Sequence, residues 1–399
     1  MTHRLFPLPL LALACQTPAP QIDDAALRLH HDAIVVDTHS DTTPRFQDPT
    51  WDFTERHDTG HQDLPRMREG GLDVQFWSIY MGKTEGKGAA IREAIERIDA
   101  VHELVRAHPG DLGLARSAAE VRALVAEGRV ACLMGVEGGH IIEDSLAALR
   151  SYYELGVRYM TLTHSFHTGW ADSSGTNLPP EPLHHGLTAF GEDVVREMNR
   201  LGMMVDVSHV SDQTFWDVIR VTRAPVIASH SSVRAVADHP RNMSDEMLRA
   251  LAEGGGVVMI NFYSGYIDTE LVEPIRALFG RLAPRIAALR DQHADDPRAR
   301  ARAFRDLFAA EQIPRTSLDV LLDHFDHAIR VAGPDHVGVG ADWDGVASMP
   351  QDMGDVSELP NLTRGLLARG HSPETVRKVL GENLLRVMAE VERVAGLSR

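Results

Sequence analysis

Residues 33–41 read AIVVDTHSD, an apolar, β-branched run that ends in an imidazole flanked by two carboxylates. An apolar run without alternation suits a strand buried on both faces. The same pattern recurs along the chain. Runs at 73–80 (DVQFWSIY), 130–136 (VACLMGV), 157–163 (VRYMTLT), 203–208 (MMVDVS), 224–229 (APVIAS), 256–263 (GVVMINFY) and 336–341 (HVGVGA) bring the predicted strands to eight. Helical stretches at 88–107, 143–155, 188–201, 211–221, 244–253 and 316–331 separate them. Ser211-Asp212 and Ser244-Asp245 cap two of these, and Gly156 and Gly202 end two others. Repeated strand–helix alternation predicts an α/β protein of the (β/α)8 TIM-barrel type.

Residues 267–315 are too long for one crossover and carry Pro284 and Pro297, so they predict a helical insertion after the seventh strand. It serves as a lid, an oligomer contact or a solvated decoration. The tail 357–395 is predicted to be helical and to close the barrel.

Composition narrows the function. The 399 residues include 40 basic and 57 acidic side chains, a formal charge of -17, which argues against a nucleic-acid partner because phosphate backbones are held by basic patches. The two cysteines, Cys15 and Cys132, exclude a disulfide scaffold and a zinc-thiolate finger. Residues 1–22 begin MTHRLFPLPLLALAC, a short basic start and an apolar run before Cys15, which reads as an exported lipoprotein-like leader and tether. The apolar run is shorter than the ~20 residues that span a bilayer. The alternative is a frayed cytosolic N-terminus. Residues 23–399 read as a single hydrolase domain.

The polar residues that follow each strand carry the chemical signal. His39 and Asp41 follow the first, Glu137 the third, His164 the fourth, His209 the fifth, His230 the sixth and Asp342 the eighth. Residues beyond the strand ends of such a barrel converge on one face, where its active sites lie. His39 and Asp41, two apart in extended chain, can reach one cation, and His209 and His230, from neighbouring strands, a second; Glu137 can bridge the two. Nitrogen and oxygen ligands without thiolate suit Zn²⁺, with Mn²⁺, Co²⁺ or Fe²⁺ as replacements. Two cations sharing a water would lower its pKa and give a hydroxide nucleophile. Asp342 is placed to hold that hydroxide and carry its proton to the leaving group.

The ordered set DTHSD (37–41), DLPRMREGGLDVQFWS (63–78), GVEGGH (135–140), RYMTLTHS (158–165), GWADSS (169–174), DVSHVS (206–211), IASHSS (227–232), RN (241–242), NFYSGY (261–266), GADWDG (340–345) and GENLLRV (381–387) resembles the membrane (renal-type) dipeptidases of peptidase family M19, amidohydrolase-like barrels. The resemblance implies a dinuclear zinc dipeptidase acting on short unblocked dipeptides, L-Xaa–D-Xaa included, with His39, Asp41, Glu137, His209 and His230 as metal ligands and Asp342 as acid/base. It further implies that His164 steadies the scissile carbonyl and that Arg241, assisted by Tyr266, pairs with the substrate's terminal carboxylate. A homodimer is the family-level expectation. A guanidinium suits that carboxylate because it pairs bidentately. The alternative on the same site is an amidase for N-acyl amino acids, β-lactams or other small amides. His140 and His167 read as structural, and Asp37 as a second-layer group orienting a ligand. Arg45 and Phe46 depart from the renal pattern in a region that shapes the pocket for substrate side chains.

Overall fold

The structure, a computed structural model, describes residues 22–397 apart from 85, 177 and 295. The leader and Cys15 lie outside the described residues. Nine parallel strands form among them: β1 (Val36–Ser40), β2 (Val74–Tyr80), β3 (Leu112–Leu114), β4 (Val130–Glu137), β5 (Val157–Thr161), β6 (Met204–Asp206), β7 (Ile227–Ser231), β8 (Val257–Ile260) and β9 (Val337–Val339). Eight of them run in the order β1-β2-β4-β5-β6-β7-β8-β9. The ring closes at the C-terminal end of β1, where Ser40 bridges Trp343 and the Asp41 amide donates to the Trp343 carbonyl at 2.8 Å. This is the predicted parallel barrel with one addition. β3 pairs with residues 130–132 of β4, below the stretch that pairs with β5. Three residues are too few to show a period in sequence.

Alternation along the strands sorts side chains into two cores. In β4, Ala131 and Leu133 join Val36, Phe76, Tyr159, Met204, Ile227 and Met259 inside the barrel, whereas Val130, Cys132, Met134 and Val136 face the surrounding helices. Gly135 and Glu137 continue the inward phase, so Glu137 rises into the mouth from the filled interior. Leu384, Leu385, Met388 and Val391 of the helix Asn383–Val394 join the inner core, as the predicted closure by the tail requires.

Two strands break the alternation at informative places. Between Asp37 and Ser40, β1 advances three residues while β2 advances two. Between Ala228 and Ser231, β7 does the same against β8. Each bulge lets consecutive residues, Thr38-His39 and Ser229-His230, turn to the same side. Bulges re-aim side chains in this way.

The insertion follows β8, the seventh strand of the ring, as helices Thr269–Gln292 and Pro297–Ala309. Ile275, with Leu271 and Phe279 on the same face, packs against Tyr263 and Tyr266, and Arg302 lies 3.5 Å from Asp48 in the segment after β1. The insertion thus reaches over the C-terminal rim. No helix among the described residues is long and apolar enough to cross a membrane.

Cys132 is fully buried and its thiol is pushed up to about 12 by that burial. Thiolate is the reactive form. Peptide mapping after alkylation at pH 8 should therefore find Cys132 unmodified in the folded protein and modified in denaturant. Rapid labelling of the native chain would contradict this packing.

Candidate metal centre

Strand ends and the two bulges bring the candidate residues together. Four imidazole Nε2 atoms surround one oxygen of the buried Glu137 carboxylate. Oε1 lies 3.1 Å from His209, 3.3 Å from His230, 3.5 Å from His39 and 3.6 Å from His164. His39 Nε2 also lies 3.8 Å from Asp41 Oδ1, and the His39 and His230 rings stack at 3.8 Å. Three overlapping sets have ligand atoms within 4.8 Å of one another: His39, Glu137 and His230; Glu137, His164 and His209; His39, Asp41 and Asp342. The sequence pairing of His209 with His230 holds as proximity, their Nε2 atoms being 2.8 Å apart, but His230 stands equally with His39. His164 falls inside the same cluster.

The electrostatics favour positive charge here. Burial alone would lower the His39 pKa, yet Glu137 and Asp41 override it and hold the ring at about 10. Asp41 is raised to about 8 by burial and by Glu137. Burial and Glu137 also raise Asp342, against His39 and a hydrogen bond from Asn261. Burial works against ionising Glu137 as well, but the surrounding imidazoles of His39, His164, His209 and His230 hold it well below the ordinary carboxylate range. His209 and His230 are held well below the usual imidazole range, first by burial, so both are neutral and carry lone pairs. His39 Nε2 and Asp41 Oδ1 are buried with no hydrogen-bond partner. Unpartnered polar atoms and carboxylates facing one another are costly in a protein interior unless a cation sits among them. The donor set, imidazole nitrogens and carboxylate oxygens, fits divalent transition metals.

Backbone strain marks two of these positions. His209 has φ 66° and Asp342 φ 68°, left-handed values uncommon for residues other than glycine. The His209 carbonyl is held by the Thr163 hydroxyl at 2.8 Å, the Ser174 amide at 2.8 Å and the Ser173 hydroxyl at 3.2 Å. Asp342 Oδ2 accepts from Asn261 Nδ2 at 2.9 Å, while Asn261 Oδ1 accepts from the Tyr263 amide at 2.6 Å, which fixes the amide's orientation. A Cβ on Gly345 would lie 2.2 Å from Asp342 Oδ1 and 2.3 Å from Asp41 Oδ2, so only glycine leaves room for both carboxylates. Asn261 and Gly345 sit within quoted motifs, but neither titrates, and sequence reasoning gave them no role.

On one side of the cluster stands Arg241, 3% exposed, with its guanidinium 5.4 Å from the Tyr266 ring centre. One nitrogen donates to the His230 carbonyl at 3.1 Å; Nε and Nη1 are buried without partners. Across the barrel, at the C-terminal ends of β2 and β5, Tyr80 lies 4.9 Å from the His164 ring, and Lys83 sits 4.6 Å above Phe166.

Three secondary readings resolve differently. His140 lies 3.2 Å from the Met81 carbonyl, and His167 is engaged by the Ser173 amide and Asp172, so both make structural contacts. Asp37 touches no imidazole in the cluster. Its oxygens accept from the Ala341 amide and Gln75 at 2.6 Å each, tying β1 to the segment after β9. It supports the barrel seam rather than orienting a ligand ring. Arg45 pairs with the buried Asp344 at 3.0 Å, and Phe46 packs among Trp51, Phe53 and Trp77. Those two residues build the support behind the mouth.

Known proteins share both this sequence and this fold. The profile of the membrane dipeptidase family (peptidase family M19) matches residues 23–399. Mouse (Mus musculus) dipeptidase 3 is 37% identical over 386 residues, covering 94% of this chain and 68% of its own. The probable dipeptidase PvdM from Pseudomonas aeruginosa superposes with a TM-score of 0.80 at 26% identity, covering 94% of this chain and 99% of its own. A metallopeptidase from Rhodobacter sphaeroides, solved with a phosphinate mimic of the dipeptide L-Ala-D-Ala, gives 0.72 at 29% identity over 90% of this chain and 100% of its own. The chain therefore belongs to the membrane dipeptidase family, peptidase family M19, and is a metallodipeptidase, a hydrolase acting on peptide bonds.

Proposed function

We propose that the chain hydrolyses short unblocked dipeptides, L-Xaa–D-Xaa included, on a centre of two zinc ions held by His39, Asp41, Glu137, His209 and His230. The observation that carries this reading is one juxtaposition: four imidazole nitrogens within 3.6 Å of a single Glu137 oxygen, beside an Arg241 with two buried, unpartnered nitrogens. The Rhodobacter sphaeroides neighbour, solved with its L-Ala-D-Ala mimic, supports the stereochemical part of the proposal.

The cations supply Lewis acidity and lower the pKa of water at the reacting centre. The chain's own residues do the rest. Arg241 receives the substrate's terminal carboxylate, because a buried guanidinium with free donors in a fork is poised for a bidentate partner. Tyr266, beside it and backed by the insertion, closes that end. This anchoring selects for a free C-terminus one residue from the scissile bond. His164, whose Nε2 lies on the cluster's edge, steadies the carbonyl oxygen as negative charge develops. Asp342, aimed by Asn261, takes the proton from the attacking water and passes it to the leaving amine. Export and lipid anchoring through Cys15 belong to the proposal as well.

Arg241→Ala should lower kcat/KM for dipeptides by ~30-fold or more, mainly through KM, since it removes one partner of a buried ion pair. It should spare a small amide that lacks a carboxylate. Steady-state kinetics with both substrates measure this, and dipeptide turnover unaffected by the substitution would contradict the anchoring role. Chelator dialysis should abolish turnover and readdition of Zn²⁺ restore it, with about two zinc ions per chain by elemental analysis. Full activity in metal-free protein would count against the centre itself.

A further inference from the structure

Two hydroxyl groups that none of these roles uses lie directly behind the cluster. Tyr159 projects from β5 across the barrel interior, and its hydroxyl stands 2.8 Å from His39 Nδ1 and 3.0 Å from the Thr38 carbonyl. The ring reaches that far only because β4 carries glycine beside it, since a Cβ on Gly135 would lie 1.9 Å from Tyr159 Cζ. The hydroxyl has one proton, and a carbonyl can only accept. Tyr159 therefore donates to Thr38 and accepts from His39 Nδ1–H.

Behind His230 the same logic runs through a carboxylate. Asp206 Oδ1 accepts from the amides of Ser208 at 3.0 Å and Ser229 at 2.8 Å. Its Oδ2 accepts from the hydroxyls of Thr161 at 2.5 Å and Ser229 at 2.6 Å. Occupied by four donors, Asp206 is an acceptor only. The Ser229 proton is thus committed to Asp206, and Ser229 Oγ, 2.7 Å from His230 Nδ1, accepts from that ring. In both rings Nδ1 therefore carries a proton, which leaves Nε2, the atom that faces Glu137, as the nitrogen open to a cation. His209 differs, because its Nδ1 has no partner and the ring is placed through its backbone.

We infer that Tyr159 and the Asp206–Ser229 pair are positioning residues that anchor the Nδ1–H groups of His39 and His230, so that each ring presents Nε2 to a cation. The bulges in β1 and β7 serve this arrangement, since each turns a ligand imidazole and the residue before it to the same side. Groups behind a ligating imidazole fix its orientation and raise its basicity. The inference rests on the metal reading above.

The test is a competition titration of Zn²⁺ against a chromophoric chelator, using metal-stripped full-length wild type, Tyr159→Phe, Ser229→Ala and Thr363→Val. Thr363 contributes a buried hydroxyl to His30, which is not one of the clustered residues, and so controls for the loss of any interior hydroxyl. Tyr159→Phe and Ser229→Ala should each weaken binding at the tightest site by ~10- to 100-fold, with circular dichroism unchanged, and Thr363→Val should leave it as in wild type. Wild-type affinity in either folded variant overturns the role of that hydroxyl, and if one variant fails to fold the other decides. Equal weakening by Thr363→Val overturns the inference. If the wild type binds no Zn²⁺, the metal reading falls and the inference with it, whereas tight wild-type binding with unchanged variants removes the inference alone.

Discussion

The structure turns on the crowding of three carboxylates and four imidazoles at the mouth of the barrel. Asp41, Glu137 and Asp342 are gathered inside a protein wall, with the neutral imidazoles of His209 and His230 beside them, where the solvation that would offset their repulsion is lacking. Such a gathering is unfavourable by itself and becomes favourable only with cations among the oxygens and nitrogens. A fold can hold this arrangement because the barrel beneath is packed solid, with Phe76, Leu133 and Met259 filling the interior and the C-terminal helix sealing its base. Stability is contributed by that core, and the strain is concentrated at the rim, where His209 and Asp342 hold left-handed backbone.

A division of labour between strands follows. β4 supplies the carboxylate around which the imidazoles converge, β1 and β7 supply imidazoles through bulges, and the segments after β6 and β9 supply His209 and Asp342 at strained turns. The residues proposed to recognise substrate come from longer connections: Arg241 follows β7 and Tyr266 follows β8. The insertion supports Tyr266 through Ile275 while reaching Asp48 across the rim, so its helices lie close to the end of the site proposed to receive the substrate carboxylate. Acidic composition and Arg241 fit together, because a buried guanidinium with two unpartnered nitrogens is a specific landmark for a small anion.

Much of this was legible in the sequence, for a physical reason. A parallel strand must be apolar on both faces, so AIVVD, VACLMGV and GVVMINFY stand out, and chemistry on a barrel must sit at strand ends, so the residues that follow them announce themselves. The ordered motifs then identified the family. What stayed hidden depended on register and on direction. No pattern in 36–40 or 227–231 signals that a bulge turns two consecutive side chains to one side, and the three-residue β3 is too short for periodicity to register. Asp37 was read as orienting a ligand, and His39 is the one nearest it in sequence. The bulge separates the two, and Asp37 ties the barrel seam instead. Tyr159 lies in a run read as a buried strand, and its hydroxyl lies across the barrel from that strand, a distance no local reading can measure. Arg45 and Phe46 were read as pocket residues from their place in a motif, whereas Asp344 and the Trp51–Phe53–Trp77 cluster claim them.

The central claim is that divalent cations occupy the space enclosed by Glu137, the surrounding imidazoles and the neighbouring aspartates. Anomalous diffraction from crystals of the zinc-loaded protein, recorded above and below the zinc absorption edge, addresses it most directly. The account predicts two edge-dependent peaks within that enclosure, one beside His39 and Asp41 and the other beside His209 and His230, both in contact with Glu137. An enclosure with no anomalous density in a protein that still cleaves dipeptides would contradict it.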